Sequence, residues 1–349
     1  MYKLSPQSLK PGMIIYDDIY APSKQLLYKA NTILTPESIH SLQEYNFSDI
    51  VLCEPGEVNM THYEYLQRNP HFQHFSEVHA KSLTAFSKIM RNLDTGLDLN
   101  QLRLMSLRDS VMAEVMNTEQ FIDYLYNLMS NENEITYNHC FNCGLLCYVF
   151  GQWLELSAED LDTITLCGYL FDIGKAKIPD DILWKPEKLT PEEYQKMQRH
   201  IHLGYEILKN RKLPPHIVTV LIMHHERCDG SGYPAGLKED KIDPYALVAA
   251  IADTYDAMTH PRAQRMALTP FQAIRVFEKQ GFAKYGKHIQ PLLTRIAKIY
   301  IDRRVCLSND TQGRITEIHD DALSSPTIFD GTAYHDLRKM PDAEVIRML

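Results

Sequence analysis

The sequence predicts a mainly α-helical fold that opens with a small β-rich module. Three observations predict it. Short β-branched and leucine-rich runs separated by turn residues occupy residues 1–56. From there to about residue 300, apolar residues recur at helical spacing. Several of these apolar runs end in a histidine or an aspartate, most clearly Val218–Met223, which runs into His224-His225.

Size and composition set the bounds. A chain of 349 residues has room for two or three domains and a large core. With 23% charged and 44% apolar residues it has an ordinary globular mix. The net charge is −9 and Lys/Arg-rich runs are missing, so nucleic acid is not an expected partner. A small anion could still be held locally by metal ions or a few basic side chains. The longest apolar runs, such as Ala246–Ala252, fall far short of a bilayer span, and the N-terminus has no signal-like hydrophobic region. No membrane association is expected, and the expected location is the cytoplasm. Of the seven cysteines, Cys140, Cys143 and Cys147 stand three and four apart. That spacing is one face of a helix; thiolate ligation of a metal is the competing reading.

The first module, residues 1–56, contains a turn at Leu9-Lys10-Pro11-Gly12-Met13, strand candidates at Ile14–Tyr16, Leu26–Tyr28 and Asp49–Leu52, and a short helix opened by Thr35-Pro36. It has no cluster of titratable residues, which suits sensing, docking or packing. Residues 57–130 read as connecting helices: Phe86, Ile89 and Met90 form one stripe, Val111, Met112, Val115 and Met116 another, and Phe121, Tyr124, Leu125 and Met129 a third. Interdomain packing or a homodimer contact would both use them.

Residues 131–300 carry the chemistry. His139 lies on a helix continuing through Leu145, Leu146 and Val149, either as a core histidine or as a ligand. Leu170-Phe171-Asp172-Ile173-Gly174-Lys175 ends an apolar helix in a carboxylate, which needs a cation or several N–H donors if buried. Lys175 could pair with Asp172 or reach a substrate phosphate. Thr190-Pro191 caps a helix running to His200, with His202 and Gly204 just beyond. His224-His225-Glu226-Arg227 is followed by the bent loop Gly230-Ser231-Gly232-Tyr233-Pro234. Ala249–Thr259 is an apolar helix with Asp253 at its centre and Asp256 one turn on. Ligand-type residues at the ends of so many apolar helices make a shared metal site the simplest account.

Asp172-Ile173-Gly174-Lys175, Ile178-Pro179-Asp180, Lys185-Pro186, Leu189-Thr190, His200 with Gly204, His224-His225-Glu226-Arg227, Asp229-Gly230, Gly232-Tyr233-Pro234 and Ala252-Asp253 with Tyr255-Asp256-Ala257 resemble, in order and spacing, the HD-GYP family of metal-dependent phosphohydrolases. The likeness spans 131–300. Residues 301–349, with Arg304–Asn309 and Gly313–Ile318, resemble a β-rich tail found in some relatives. The resemblance implies an HD-type helical bundle holding two divalent ions, usually iron or manganese, and hydrolysis of cyclic di-GMP to linear pGpG and in some members on to GMP. Two metals suit a phosphodiester, because they can bind its non-bridging oxygens and supply hydroxide at neutral pH. Carried over by position, His139 and Asp253 would bind one metal, Asp172 would bridge, His200, His224 and His225 would hold the second, and Lys175 would contact phosphate. Arg262 and Arg265 match a basic pair that meets substrate or braces the fold. The Gly232-Tyr233-Pro234 loop has three readings: a wall of the substrate cleft, a docking surface for a diguanylate cyclase domain, or a structural turn.

The sequence departs from the family pattern. Phe171 stands where the family has a metal-binding histidine, and Ile135 where three-metal relatives have a glutamate. A Phe-Asp-Pro motif appears as Tyr285-Gly286-Lys287. The expectation is therefore a phosphodiesterase with a weakened first metal position. A chain that binds metal, nucleotide or a partner without turnover is the alternative, and action on another phosphate ester a third reading. Asn138, Cys143 or water are the candidate substitutes for the lost imidazole.

Overall fold

The computed structural model describes residues 2–16, 18–23, 25–30, 32–45, 47–53, 61–128, 135–185, 187–260 and 267–349. The N-terminal module forms strands β1 (Tyr2–Leu4), β2 (Ile14–Ile15), β3 (Ile19–Tyr20) and β4 (Leu26–Tyr28), helix α1 (Pro36–Glu44) and strand β5 (Ile50–Cys53). β5 lies between β1 and β2, antiparallel to both, and β3 pairs with β4. Helix α1 starts where Thr35 and Ser38 cap one another reciprocally, with Pro36 at the first helical position. Ile15, Leu34, Leu42, Ile50 and Leu52 give this module its own small core.

Four helices follow: α2 (His62–Arg68), α3 (Pro70–Asp94), α4 (Gln101–Met112) and α5 (Thr118–Tyr126). The stripe expected to run on through Val115 and Met116 stops early. Helix α4 ends at Met112, Asn117 opens α5 by accepting from the Gln120 N–H, and Met116 between them is left exposed. Next come α6 (Ile135–Trp153), α7 (Ala158–Leu170), α8 (Asp180–Leu183), α9 (Pro191–Gln198), α10 (His200–Leu208), α11 (Pro215–Met223), α12 (Pro244–Thr259), α13 (Pro270–Gln280) and α14 (Ile289–Lys298). The sequence reading ran one helix from Thr190 to His200, with His202 and Gly204 beyond it. The structure breaks that helix at Arg199, and His200, His202 and Gly204 lie on α10. The break leaves the Met197 carbonyl to the His200 ring, which donates to it from Nδ1 at 2.7 Å.

Helices α6 and α7 cross closely because both carry glycine at the contact. A Cβ on Gly168 would lie 2.6 Å from the Cys143 carbonyl oxygen, and one on Gly144 would overlap the Tyr169 ring. Cys140, Cys143 and Cys147 are buried along α6, where burial pushes all three thiols up, and Cys143 also groups with His139 and Asp256.

The last 45 or so residues form an antiparallel sheet of β6 (Arg304–Leu307), β7 (Gln312–His319), β8 (Ala322–Phe329), β9 (Tyr334–Asp336) and β10 (Val345–Met348), in the order β10-β6-β7-β8-β9. Val305, Ile315, Leu323, Ile328 and Val345 join the same core as the helices. Thr269 Oγ1 donates to the Val345 carbonyl (2.9 Å), and Arg275 pairs with Glu344 (2.9 Å). No helix among the described residues is long and apolar enough to cross a membrane.

Candidate metal centre

The ends of α7, α10 and α11 meet the middle of α12 and the first turns of α6. Asp172 follows the last residues of α7, Phe171 being its C-terminal cap. The chain then makes a 3₁₀ turn, Ile173–Lys177, which packs against α10. Gly174 permits this contact, since a Cβ there would overlap the His200 carbonyl oxygen. His224 caps α11, and Asp253 faces inward from α12.

Asp172, His200, His224 and His225 each offer a donor atom within 4.8 Å of the others. Asp172 Oδ1 stands 3.4 Å from His200 Nε2 and 3.6 Å from His224 Nε2. All three atoms are buried, and none makes a hydrogen bond. Leaving buried polar atoms unsatisfied costs roughly 1–3 kcal/mol each, so three aimed at one point fit a cation. The tautomers agree. His200 Nδ1 donates to the Met197 carbonyl (2.7 Å) and His224 Nδ1 to the Leu221 carbonyl (2.9 Å), so each presents a bare Nε2. Burial pushes His200 down to about 4 and His225 well below its ordinary value, which keeps both imidazoles neutral, as ligation requires.

His139, Asp172 and Asp253 form a second group of three. His139 Nε2 is 3.0 Å from Asp253 Oδ1 and 3.7 Å from Asp172 Oδ2. His139 Nδ1 donates to Asp256 Oδ2 at 2.6 Å, and the other oxygen of Asp256 is paired with His260 Nδ1 at 2.9 Å. His260 Nε2 in turn donates to the Leu125 carbonyl (2.9 Å). Lys175 ion-pairs with Asp172 Oδ2. Burial pushes the Asp172 carboxyl up, but the Lys175 ammonium and the two neighbouring imidazoles outweigh it and hold it well below the usual range. Asp253 is likewise depressed, burial being outweighed by His139.

Phe171 is buried with its ring edge-on to both imidazoles, 4.8 Å from His224 and 5.9 Å from His139. It supplies an apolar wall and no donor. Of the substitutes expected for the lost imidazole, Cys143 Sγ lies 3.6 Å from His139 Nδ1 with its thiol pushed up by burial, and Asn138 has a buried Oδ1 without a hydrogen bond.

Beside the centre, the Tyr233 ring stacks on His225 (4.5 Å, 24° between planes). The Tyr233–Pro234 bond is cis. Buried Glu226 anchors this loop by accepting from the Ala235 N–H (2.7 Å) and the Leu237 N–H (2.9 Å). Gly232 must be glycine, because a Cβ would lie 2.5 Å from Glu226 Cα and the His225 carbonyl oxygen. Lys185 reaches both Glu193 oxygens (2.7 Å) and so braces the cap of α9. Arg227 lies over the Tyr285 ring at 4.9 Å. Arg262 and Arg265 fall outside the described residues. His260 and the anchoring role of Glu226 were missed in the sequence. The signal for His260 was its spacing of four from Asp256, which it keeps as the C-terminal cap of α12.

The HD domain family matches residues 123–289. The chain is 30% identical over 262 residues to the cyclic di-GMP phosphodiesterase PA4108 of Pseudomonas aeruginosa, covering 73% of this chain and 62% of that protein. Residues 123–289 are thus the HD-domain-like part of the chain. A cyclic di-GMP phosphodiesterase of Thermotoga maritima is 32% identical over 212 residues, 57% of this chain and 58% of the relative. A 3'3'-cGAMP-specific phosphodiesterase of Vibrio cholerae is 31% identical over 201 residues, 57% of this chain and 38% of that protein. The chain thus spans about three fifths or less of these relatives. In fold it is similar to Bd1817, an HDG"Y"P protein of Bdellovibrio bacteriovorus, with a TM-score of 0.51 at 15% identity over 84% of this chain and 98% of that one. HD domains of this kind bind divalent metals, and the clusters above are the candidate positions.

Proposed function

We propose that this chain is a metal-dependent phosphodiesterase that opens cyclic di-GMP by adding water across one phosphodiester bond, giving linear pGpG. The observation that carries it is the meeting of Asp172 Oδ1, His200 Nε2 and His224 Nε2 at one buried point without hydrogen bonds. The relatives add support through their own activities. Iron or manganese suits the mix of carboxylate and imidazole donors. Bound there, divalent ions would act as Lewis acids on the phosphate and lower the pKa of water.

The chain's own residues do the rest. Asp172 joins the two halves of the centre. His200, His224 and His225 would hold one ion, and His139 and Asp253 would hold the other. Lys175, a fifth exposed at its side chain, offers its ammonium to a phosphate oxygen while staying close to Asp172. The Tyr233 ring covers His225 and gives a flat wall against which a base can stack. Arg262 and Arg265 are assigned to the substrate on the strength of the sequence pattern. The small separate core of residues 1–56 supports a regulatory or docking role for that module. Docking of a diguanylate cyclase domain at the outer side of the Tyr233 loop belongs to the same proposal.

The test is turnover of cyclic di-GMP by anaerobically purified protein loaded with Fe²⁺ or Mn²⁺, with products separated by chromatography and 3'3'-cGAMP run alongside. A linear dinucleotide that vanishes in Asp172→Ala supports the reading. Faster turnover of 3'3'-cGAMP would reassign the substrate within the cyclic dinucleotides. No product from folded, metal-loaded protein would overturn the enzyme in favour of a binding module.

A further inference from the structure

The two halves of the centre would not take up metal on equal terms. On one side, Asp172 Oδ1, His200 Nε2 and His224 Nε2 are buried and unsatisfied, with His225 close by. An ion entering there breaks no hydrogen bond within the protein and relieves three desolvated atoms. On the other side the donors already have partners. His139 is held between Asp253 and Asp256, and Asp172 Oδ2 carries the Lys175 ammonium. An ion entering there must displace that ammonium and part His139 from Asp253. In return it gains three donors, one of them shared with the first ion. Phe171 adds a hydrocarbon ring between His139 and His224, where a fourth donor would be needed.

We propose that this chain has one resident metal ion, held by Asp172, His200, His224 and His225, and that the Lys175 ammonium is the standing cation on the His139 side. The second divalent ion then binds only weakly. The proposal rests on the metal-centre reading, and it goes further by assigning Lys175 a charge-balancing role.

The test is metal counting on the full chain. The protein is stripped with chelator, reconstituted anaerobically with Mn²⁺, desalted and measured by plasma mass spectrometry, with circular dichroism to check folding. About one ion per chain is expected. His200→Ala should lose it and Asp253→Ala should keep it. Phe171→His should raise the count towards two, and Lys175→Met should do the same by freeing Asp172 Oδ2. In titrations, Phe171→His should tighten the second site by about 10–100-fold. Two firmly retained ions in the unaltered chain would overturn the inference and leave the metal-centre reading intact. An ion lost in Asp253→Ala but kept in His200→Ala, or a count of one in both gain-of-site variants, would also overturn it. No bound ion in folded protein would overturn the underlying reading.

Discussion

The His200 half and the His139 half of the centre are built from similar residues and differ in what answers them. His200 and His224 each spend Nδ1 on a backbone carbonyl and present a second nitrogen that makes no hydrogen bond. His139 spends Nδ1 on a carboxylate that is itself tied to His260, and its second nitrogen faces Asp253. A carbonyl fixes the ring and leaves the charge of the site alone. A carboxylate fixes the ring and also adds negative charge beside it, which then calls for a cation, here His260. The difference teaches that ligand-type residues in one cavity need not be equivalent: the second partner of each imidazole decides how it behaves.

The largest effect should come from breaking the His200 half without touching a candidate ligand. Gly174→Ala places a methyl group against the His200 carbonyl oxygen. It should cost about 3 kcal/mol of stability by overpacking and displace α10. Metal retention should fall at least tenfold while the His139 half keeps its hydrogen bonds. Thermal unfolding with metal counting checks both, and a variant that unfolds like the parent and retains its metal would show that α10 can shift freely. A middling effect is expected at the rim. Glu226→Gln keeps one acceptor for the Ala235 and Leu237 N–H groups and turns an NH₂ towards the other. The loop should loosen at a cost of about 1–3 kcal/mol, with a raised KM and an unchanged metal count.

The smallest effect concerns the His139 half and depends on pH. Burial alone would push His260 down, but Asp256 and the Leu125 carbonyl outweigh it and raise it above its ordinary value. Asp256 is depressed, its own burial being outweighed first by His260. A raised histidine contributes stability that is fully present below about pH 6.5 and is lost as pH rises through its folded value. A depressed aspartate contributes stability present above about pH 4 and lost as pH falls through its folded value. The pair therefore helps most between about pH 4 and 6.5. His260→Gln should destabilise the metal-free protein in that window by about 1 kcal/mol or more, and the gap to the parent should narrow as pH rises beyond it. Unfolding curves from pH 5 to 9 measure this, and a gap that is constant with pH would assign His260 a packing role alone.

Much of the helical frame could be read from the chain because its signals are local. Thr35-Pro36 and Thr190-Pro191 mark helix starts by hydrogen bonds made within three residues, and both helices begin there. Break points were harder. The break at Arg199 lies where α10 packs against the turn that carries Gly174, which is remote in sequence, and α4 stops at Met112, before the Asn117 cap that opens α5. Strands of two or three residues, such as Tyr2–Leu4 and Ile19–Tyr20, are too short to show alternation, and the sequence reading passed over them. Within the centre, the ligand-type residues announced themselves by type and by their place at the ends of apolar runs. What answers each imbalance of charge was less plain, because Asp256 and His260 meet His139 and Leu125 only after α12, α6 and α5 have packed.

The crossing of α6 and α7 carries a consequence for how this chain can vary. Gly144 and Gly168 let the helix bearing His139 lie against the helix that delivers Asp172, so the gap between the two halves is gauged by side chains that do not exist. In a saturation library scored for metal uptake, positions 144 and 168 should tolerate almost nothing, although neither touches the ion. Position 171, pointing between two imidazoles, should admit several residues at graded function. The chain's freedom to drift lies beside its donors, and its rigidity lies at the helix crossing behind them.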